Sequence, residues 1–275
     1  MIEIMEIIRK FNSRRSPVSL DSLPFSFYSS EIFLDFSGHI LERNGELVLT
    51  TQDLYYHHEF PAVFLPGKII NWQETEITFT SEEDIKKIKK KGVEIIIQRP
   101  IGSEFFYKTE TLLNPAADLK RRIGQFHKSY QYKIKHSFPK DKIKEFYYRW
   151  KKQKARKNDN FRGAEEFFFF CLDNLKRYKV KQVYVVVKDK LVGFAWGADH
   201  LSGNWLGLHL KVDYRFKGLS RFLHHERAKF FTGKDFFTLG TGAQEPGIIQ
   251  FKKELGPIQE KNYYYVLTGK KKLRK

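Results

Sequence analysis

Residues 211–220 read Lys-Val-Asp-Tyr-Arg-Phe-Lys-Gly-Leu-Ser and join a predicted strand, 206–212, to a predicted helix, about 219–231. The first turn of a helix has unpaired N–H groups and the positive end of its dipole, so it attracts anions. Gly218 would let the backbone approach such an anion, because glycine has no side chain in the way. An ordinary basic turn is the alternative interpretation. We expect the loop to attract an anionic group such as a phosphate, with Arg215, Lys217, Gly218 and Ser220 as the candidate contacts.

The chain on either side of this junction alternates apolar and amphipathic segments. From residue 130 onward we predict the order β-α-α-β-β-β-α-β-α-β, with 188–190 as a hairpin tip. The helix predicted over 164–178 is apolar on more than one face, which makes Cys171 a core residue rather than a catalytic thiol. The other elements predicted in this half are strands 130–138, 183–187, 191–197, 236–239 and 263–267 and helices 140–154 and 247–255.

The first half has a similar order of elements but a different helix start. Ser81 is followed directly by three acidic residues, 82–84. A serine N-cap with acids in the first turn favours a helix, predicted over 82–91, but the acids would repel a phosphate placed there. We therefore expect only the second half to bind a phosphate at its helix start. The other elements predicted in the first half are strands 46–50, 62–65 and 93–98 and a basic helix over about 115–130.

The positive charge of the chain is local. The 275 residues have a net charge of +18. Residues 119–157 contain fifteen Lys or Arg against two acids, and residues 261–275 contain six bases and no acid. Such segments attract polyanions, although a solvated helix face is the simpler explanation. The predicted contact surface for tRNA or an anionic membrane consists of Lys120, Arg121, Arg122, Lys128, Arg149, Lys151 and Lys152.

Several classes of function lack the residues that they need. A single cysteine cannot form an internal disulfide, and neither a targeting core nor a bilayer-spanning apolar run is visible, which indicates a reducing cytoplasm. The pairs His57-His58 and His224-His225 have no partners at zinc-like spacing, so we predict no metal site. Serine-hydrolase and P-loop signatures are absent from the sequence.

Residues 246–257 resemble a signature of the phosphatidylglycerol lysyltransferase C-terminal-domain-like family, whose members are tandem GNAT-fold acyltransferases. The signature is Pro-Gly-Leu-x-x-x-Lys-x-x-x-x-Pro, and Gly247, Lys252 and Pro257 fall on its spacing. The pyrophosphate loop of GNAT proteins, Arg/Gln-x-x-Gly-x-Gly/Ala, is similar to 215–220, with serine at the last position. The similarity implies that Arg215, Lys217, Gly218 and Ser220 bind the phosphate of the acyl donor. Further landmarks similar to the family follow its order at 44–48, 64–66, 106–110 and Trp150.

The resemblance implies an α+β (mixed α/β) fold with two tandem GNAT-like domains, 1–129 and 130–275, each a mixed, mostly antiparallel sheet flanked by helices. It implies transfer of an aminoacyl group from aminoacyl-tRNA, or an acyl group from acyl-CoA, to a lipid head group or another amine or hydroxyl acceptor. Neither a tightly bound cofactor nor an obligate protein partner is implied. We favour aminoacyl-tRNA, because +13 over residues 119–157 exceeds what one CoA needs. The protein would be cytoplasmic, and peripheral at the inner membrane face if its acceptor is a lipid.

The same resemblance assigns roles within the predicted site. Acyl transfer needs a polarised carbonyl and a group that accepts a proton. The strand at 208–211 would polarise the carbonyl, and Glu245 and Tyr264 are the candidates for proton transfer. Gly247 and Lys252 would contact substrate, with Lys252 binding a phosphate or a carboxylate unless it is a solvent-facing helix lysine.

The sequence also departs from the family. Residues 240–244 lack the acids that the family usually has before its Pro-Gly turn, and Glu254-Leu255 replaces a Ser-Tyr pair. The missing acids and Ser220 favour a rival function: a non-catalytic protein that binds nucleic acid or an anionic membrane surface on a degenerate GNAT fold. The loop with Arg215 and Gly218 favours the enzyme.

Overall fold

A computed structural model describes residues 25–43, 46–53, 58–61, 76–154, 162–241 and 246–271. The described chain begins with a 3₁₀ turn, Phe27–Ser29, and helix α1, Glu31–Ser37. A small antiparallel sheet follows, in the order β1-β2-β3. Its strands are β1 (Gly38–Arg43), β2 (Glu46–Asp53) and β3 (His58–Pro61).

A second sheet of eight strands forms the centre of the molecule. Its strands are β4 (Glu76–Ser81), β5 (Val93–Lys108), β6 (Lys133–Lys135), β7 (Lys181–Val187), β8 (Lys190–Asp199), β9 (Trp205–Val212), β10 (Phe236–Thr241) and β11 (Gln259–Lys271). Their order is β4-β11-β5-β10-β9-β8-β7-β6. Neighbouring strands are antiparallel except β9 and β10, which are parallel. The predicted mixed, mostly antiparallel sheet is confirmed.

Helices flank this sheet, and all but the short helix Glu110–Leu113 correspond to predicted ones. They are α2 (Glu82–Lys90), α3 (Glu110–Leu113), α4 (Ala117–Ser129), α5 (Lys140–Lys154), α6 (Arg162–Asp173), α7 (Leu219–Ala228) and α8 (Pro246–Lys253). A 3₁₀ turn, Lys229–Phe231, extends α7. The predicted 164–178 helix ends earlier, at Asp173, and a turn follows in which Lys179 has a left-handed φ of 48°. The hairpin tip is confirmed, since Val187 pairs with Lys190 across Lys188 and Asp189.

The eight-stranded sheet separates two hydrophobic cores. Phe194 and Trp196 of β8 face α5 and α6, in a core that contains the fully buried Cys171. Ala195, between them, faces α4 and α7. This alternation places the two helix pairs on opposite faces of the sheet. Burial raises the pKa of the Cys171 thiol, as expected for a core cysteine.

Two strands begin or end at other residues than the sequence predicts. The strand expected at 93–98 continues to Lys108, because its ladder with β11 passes through Pro100 with shifts in register. The strand expected at 130–138 is limited to Lys133–Lys135, and the rings of Tyr130 and Tyr132 just before it pack on Phe126 of α4.

Strands from both predicted domains belong to this one sheet. β5 pairs with β10 on one side and with β11 on the other. The boundary between 1–129 and 130–275 stays a prediction, but hydrogen bonds between strands cross it. None of the helices in the described part of the chain is long and apolar enough to cross a bilayer.

Candidate active site

The parallel strands β9 and β10 pair only at their beginnings. Trp205 lies opposite Phe237 and Leu206 opposite Thr238, after which β9 continues to Val212 paired with β8 but not with the described residues of β10. We call the region beyond these pairs the fork. Strands that part in this way leave backbone groups available for a ligand.

Arg227 of α7 packs where the fork begins. A Cβ placed on Gly207 would lie 2.6 Å from Arg227 Nη2 and 2.4 Å from Leu239 Cδ2, so only glycine fits there. The buried guanidinium donates to the Trp196 carbonyl at 3.1 Å and lies 2.7 Å from His224 Nδ1. Burial lowers the pKa of Arg227 to about 9. The Arg227 and Leu239 side chains therefore pack directly against Gly207, at the point where the pairing of β9 with β10 ends.

A β-bulge lies at the same place on the other side of β9. Trp196 of β8 lies opposite His209, and the next residue, Gly197, lies opposite Gly207, so Leu208 is an extra residue. Bulges redirect side chains and backbone groups, and they are frequent beside active sites. The stretch predicted to polarise a carbonyl, 208–211, begins at this bulge.

Two titratable side chains follow the bulge on the face covered by α5 and α6. His209 is 8% exposed, and its Nε2 has no hydrogen-bond partner among the described residues. Burial, reinforced by the Lys211 ammonium, holds the pKa of His209 well below its usual value, although a hydrogen bond to the Phe167 main chain opposes the shift. The Lys211 ammonium lies 4.2 Å from the Trp150 ring centroid. Burial lowers the pKa of Lys211 to about 7, with a contribution from the neighbouring Lys154.

Lys252 of α8 holds the end of β10. Its ammonium donates to the carbonyls of Leu239 at 2.9 Å, Gly240 at 2.6 Å and Thr241 at 2.9 Å. Burial lowers the pKa of Lys252 to about 7, and Glu104 opposes this shift. The solvent-facing alternative for Lys252 is wrong, because the side chain is buried. All three of its donors are engaged by the main chain.

A fully buried carboxylate, Glu104 of β5, lies beside β10. Its Oε1 accepts from Phe27 N and Thr238 Oγ1, each at 2.7 Å. Its Oε2 accepts from Ser26 Oγ at 2.7 Å and Tyr263 Oη at 2.9 Å. Four donors from distant segments stabilise the buried charge and tie those segments together. Sequence reasoning missed Glu104, because no local pattern unites its partners.

The predicted phosphate loop precedes a helix as expected, but Gly218 and Arg215 contact other parts of the protein. Gly218 is the N-cap of α7, with φ 81° and no side-chain cap. A Cβ on Gly218 would lie 2.7 Å from Arg122 O and 2.9 Å from Phe126 N, so α4 packs directly on it. Arg215 donates through Nε and Nη2 to the buried Asp213 at 3.0 and 2.6 Å. Among the predicted phosphate ligands, Lys217 is exposed and Ser220 lies beside Arg221.

Tyr264, predicted for proton transfer, and Gly247, predicted for substrate contact, lie on different elements. Glu245 lies outside the described residues. Tyr264 donates to Glu82 Oε1 at 3.0 Å on β11, which β5 separates from β10. Gly247 is exposed at the start of α8, with nothing within 4 Å of an added Cβ. These assignments stay predictions.

The predicted basic surface is divided between two helices. Lys120, Arg121, Arg122 and Lys128 lie on α4, whereas Arg149, Lys151 and Lys152 lie on α5, on the opposite face of the sheet. The two helices do not present a single face. The Arg149 guanidinium is half-buried and donates to the Leu191 carbonyl at 2.7 Å, and Lys151 pairs with Glu165.

Comparison with solved structures identifies the fold. The C-terminal domain of a protein from Agrobacterium fabrum, described as a lysylphosphatidylglycerol synthetase, is similar with a TM-score of 0.61 and 12% identity, over 95% of this chain and 90% of that one. FemX is similar with a TM-score of 0.60 and 10% identity, over 97% of each chain. The predicted GNAT-like fold is confirmed.

A protein of unknown function from Bacteroides thetaiotaomicron has the same level of similarity, a TM-score of 0.61 at 14% identity over 70% of this chain and 69% of that one. Neither a protein-family model nor a curated protein matches the sequence. At these identities the likeness concerns the fold, and the reaction has to be argued from this chain's own residues.

Proposed function

We propose that the protein is an acyltransferase that moves an aminoacyl group from aminoacyl-tRNA to a lipid head group or another amine or hydroxyl acceptor. The fork between β9 and β10 carries this proposal, because it combines unpaired strand backbone, a bulge and the start of α7 in one place. The similarity in fold to the A. fabrum domain supports the same class of chemistry.

In this proposal the donor ester lies in the fork with its carbonyl directed at the β9 backbone near Leu208. The acceptor nitrogen or oxygen attacks the carbonyl carbon, and main-chain N–H groups stabilise the negative charge that develops on the carbonyl oxygen. The bond to the tRNA ribose oxygen then breaks. His209 Nε2 takes the proton from the acceptor and returns it to the leaving ribose hydroxyl.

Two observations make His209 a candidate for this role. Its low pKa leaves the ring neutral, and Nε2 has no partner among the described residues. A neutral imidazole with one nitrogen occupied and the other free has a lone pair that can accept a proton, although its lowered pKa makes it a weaker base than an exposed histidine. Glu245 and Tyr264 remain alternative proposals for the same step.

The donor preference rests on charge. Of the predicted tRNA contacts, Lys120, Arg121, Arg122 and Lys128 lie on α4, which packs against the start of α7. A tRNA acceptor end in the fork would therefore pass beside four of them. Acyl-CoA is the second candidate donor, since it also has a phosphate for the α7 loop. For a lipid acceptor the protein would act at the cytoplasmic face of the membrane.

The test is discharge of aminoacyl-tRNA by the purified protein in the presence of phosphatidylglycerol vesicles or a soluble amine. We expect the aminoacyl group to appear on the acceptor, and kcat to fall about 100-fold in His209→Gln with the fold intact. His136→Gln, at an exposed histidine, is the matched control and should behave as the wild type. Acyl-CoA in place of aminoacyl-tRNA separates the two donors.

Absence of discharge with either donor, together with retained tRNA binding, would favour the non-catalytic rival. Transfer that is unchanged in His209→Gln would remove His209 from the reaction, and Glu245→Gln would then be the next variant.

A further inference from the structure

Two arginines from different helices bind one carboxylate oxygen beside the start of α7. Arg122 Nη1 of α4 lies 2.9 Å from Glu254 Oε2, and Arg221 Nη2 of α7 lies 2.5 Å from the same oxygen. Glu254 directly follows α8, and its Oε1 lies 3.4 Å from Gln250 Nε2. The carboxylate therefore bridges three helices.

The two arginines are held in place by other contacts. The Arg221 guanidinium lies 4.4 Å from the Phe251 ring centroid, and its Nη1 is 3.4 Å from Ser220 Oγ. Arg122 Nε donates to Asp118 at 2.8 Å, which leaves its Nη1 directed at Glu254. The close packing of α4 on the start of α7 fixes the separation between the two arginines. The arrangement is therefore built before any ligand arrives.

The carboxylate can be reached from solvent and can be displaced. The side chains of Arg122, Arg221 and Glu254 are 37%, 22% and 30% exposed. Partly exposed ion pairs contribute little net stability, so the pairs can open. Two guanidinium groups match a phosphate better than a carboxylate, because each has planar donors and a phosphate has more acceptor oxygens and more charge.

We propose that Arg122 and Arg221 form a phosphate-binding site, which the protein's own Glu254 occupies when no ligand is bound. An internal carboxylate competes at a high effective concentration, so an external phosphate binds weakly until Glu254 is displaced. The site lies next to Ser220, at one end of the predicted phosphate loop, whereas Arg215 at the other end is engaged by Asp213. That the ligand is a donor phosphate rests on the proposed function.

The test is calorimetric titration with inorganic pyrophosphate at about 0.15 M salt, where non-specific attraction is screened. Glu254→Gln removes the competing charge and keeps the shape of the side chain. Glu260→Gln removes the same charge from an exposed residue that pairs with Lys253 at 3.7 Å, and it is the matched control. The double variant Glu254→Gln/Arg221→Gln removes the site as well as its competitor.

We expect pyrophosphate to bind Glu254→Gln at least about 10-fold more tightly than the wild type, as loss of an internal competitor requires. Glu260→Gln should bind within about twofold of the wild type, and the double variant should lose the gain. Equal affinity in Glu254→Gln and Glu260→Gln, or a gain that survives Arg221→Gln, would overturn the proposal.

This titration needs no turnover, so it separates the phosphate site from the reaction. A gain in Glu254→Gln without any transfer in the discharge assay would leave the site in place and remove the acyltransferase. Transfer by the wild type without a gain in Glu254→Gln would support the acyltransferase and overturn the phosphate site.

Discussion

Helices α2 and α7 each follow a strand of the same sheet, but their first turns differ. At α2, Ser81 Oγ accepts from Asp84 N at 3.2 Å, and the Asp84 carboxylate accepts from Ser81 N at 3.3 Å. This reciprocal capping box is accompanied by acids throughout the first turn. At α7 the N-cap is Gly218, without a side-chain cap and without an acid in the first turn.

The difference shows that one sheet can be followed by a helix whose first turn is capped by its own residues and by another whose first turn has no side-chain cap. The first turn of α2 is capped by side chains that lie next to it in the sequence, and its negative charge repels anions. The α7 start depends on α4 and on Glu254, which come from other parts of the chain. Only the second arrangement can exchange an internal anion for an external one.

The largest expected effect comes from Gly218→Ala. A methyl group at φ 81° would be strained, and it would also meet the α4 backbone at 2.7 Å. We expect a loss of about 3 kcal/mol in the free energy of unfolding, measured by urea denaturation. Gly247→Ala is the control, because an added Cβ meets nothing there, and it should change stability by less than about 1 kcal/mol. Equal losses in the two variants would mean that α4 does not constrain the start of α7.

An intermediate effect is expected from Ser81→Ala. The substitution removes the Oγ that caps Asp84 N and leaves the acids of α2 in place. The free energy of unfolding should fall by about 1 kcal/mol in the same urea assay. Ser129→Ala, at the exposed end of α4, provides a control of the same chemistry. A stability unchanged from the wild type would show that the acids alone support the first turn of α2.

The smallest effect is expected from Arg215→Gln and depends on pH. Hydrogen bonds from Arg215 hold the pKa of Asp213 below its ordinary value of 3.8. A carboxyl whose pKa is lower in the folded state stabilises the fold above that ordinary value, and this stabilisation is lost as the pH falls through the folded pKa. The variant should therefore have a lower urea midpoint at pH 7 and match the wild type once Asp213 is protonated in both.

Lys217→Gln removes the same charge from the same loop and is the control for Arg215→Gln. A pH-independent difference, or an equal one in Lys217→Gln, would mean that Arg215 acts through general charge and not through Asp213.

Much of the fold could be predicted from local patterns. The capping residues of α2, the hairpin tip at 188–189 and the apolar helix α6 can each be recognised from a few neighbouring residues. The site was harder, because Glu104, His209 and Arg221 depend on partners far along the chain. Glu104 alone is bound by residues 77 to 159 positions away.

The sequence by itself determined where most helices and strands after residue 81 form, where positive charge is concentrated and which junction resembles a phosphate loop, because these properties depend on neighbouring residues. Only the tertiary structure decided that the basic segment divides between two faces, that Lys252 is buried on three carbonyls and that Glu254 meets two arginines. These outcomes depend on how helices pack on the sheet, and packing is set by contacts that no local pattern encodes.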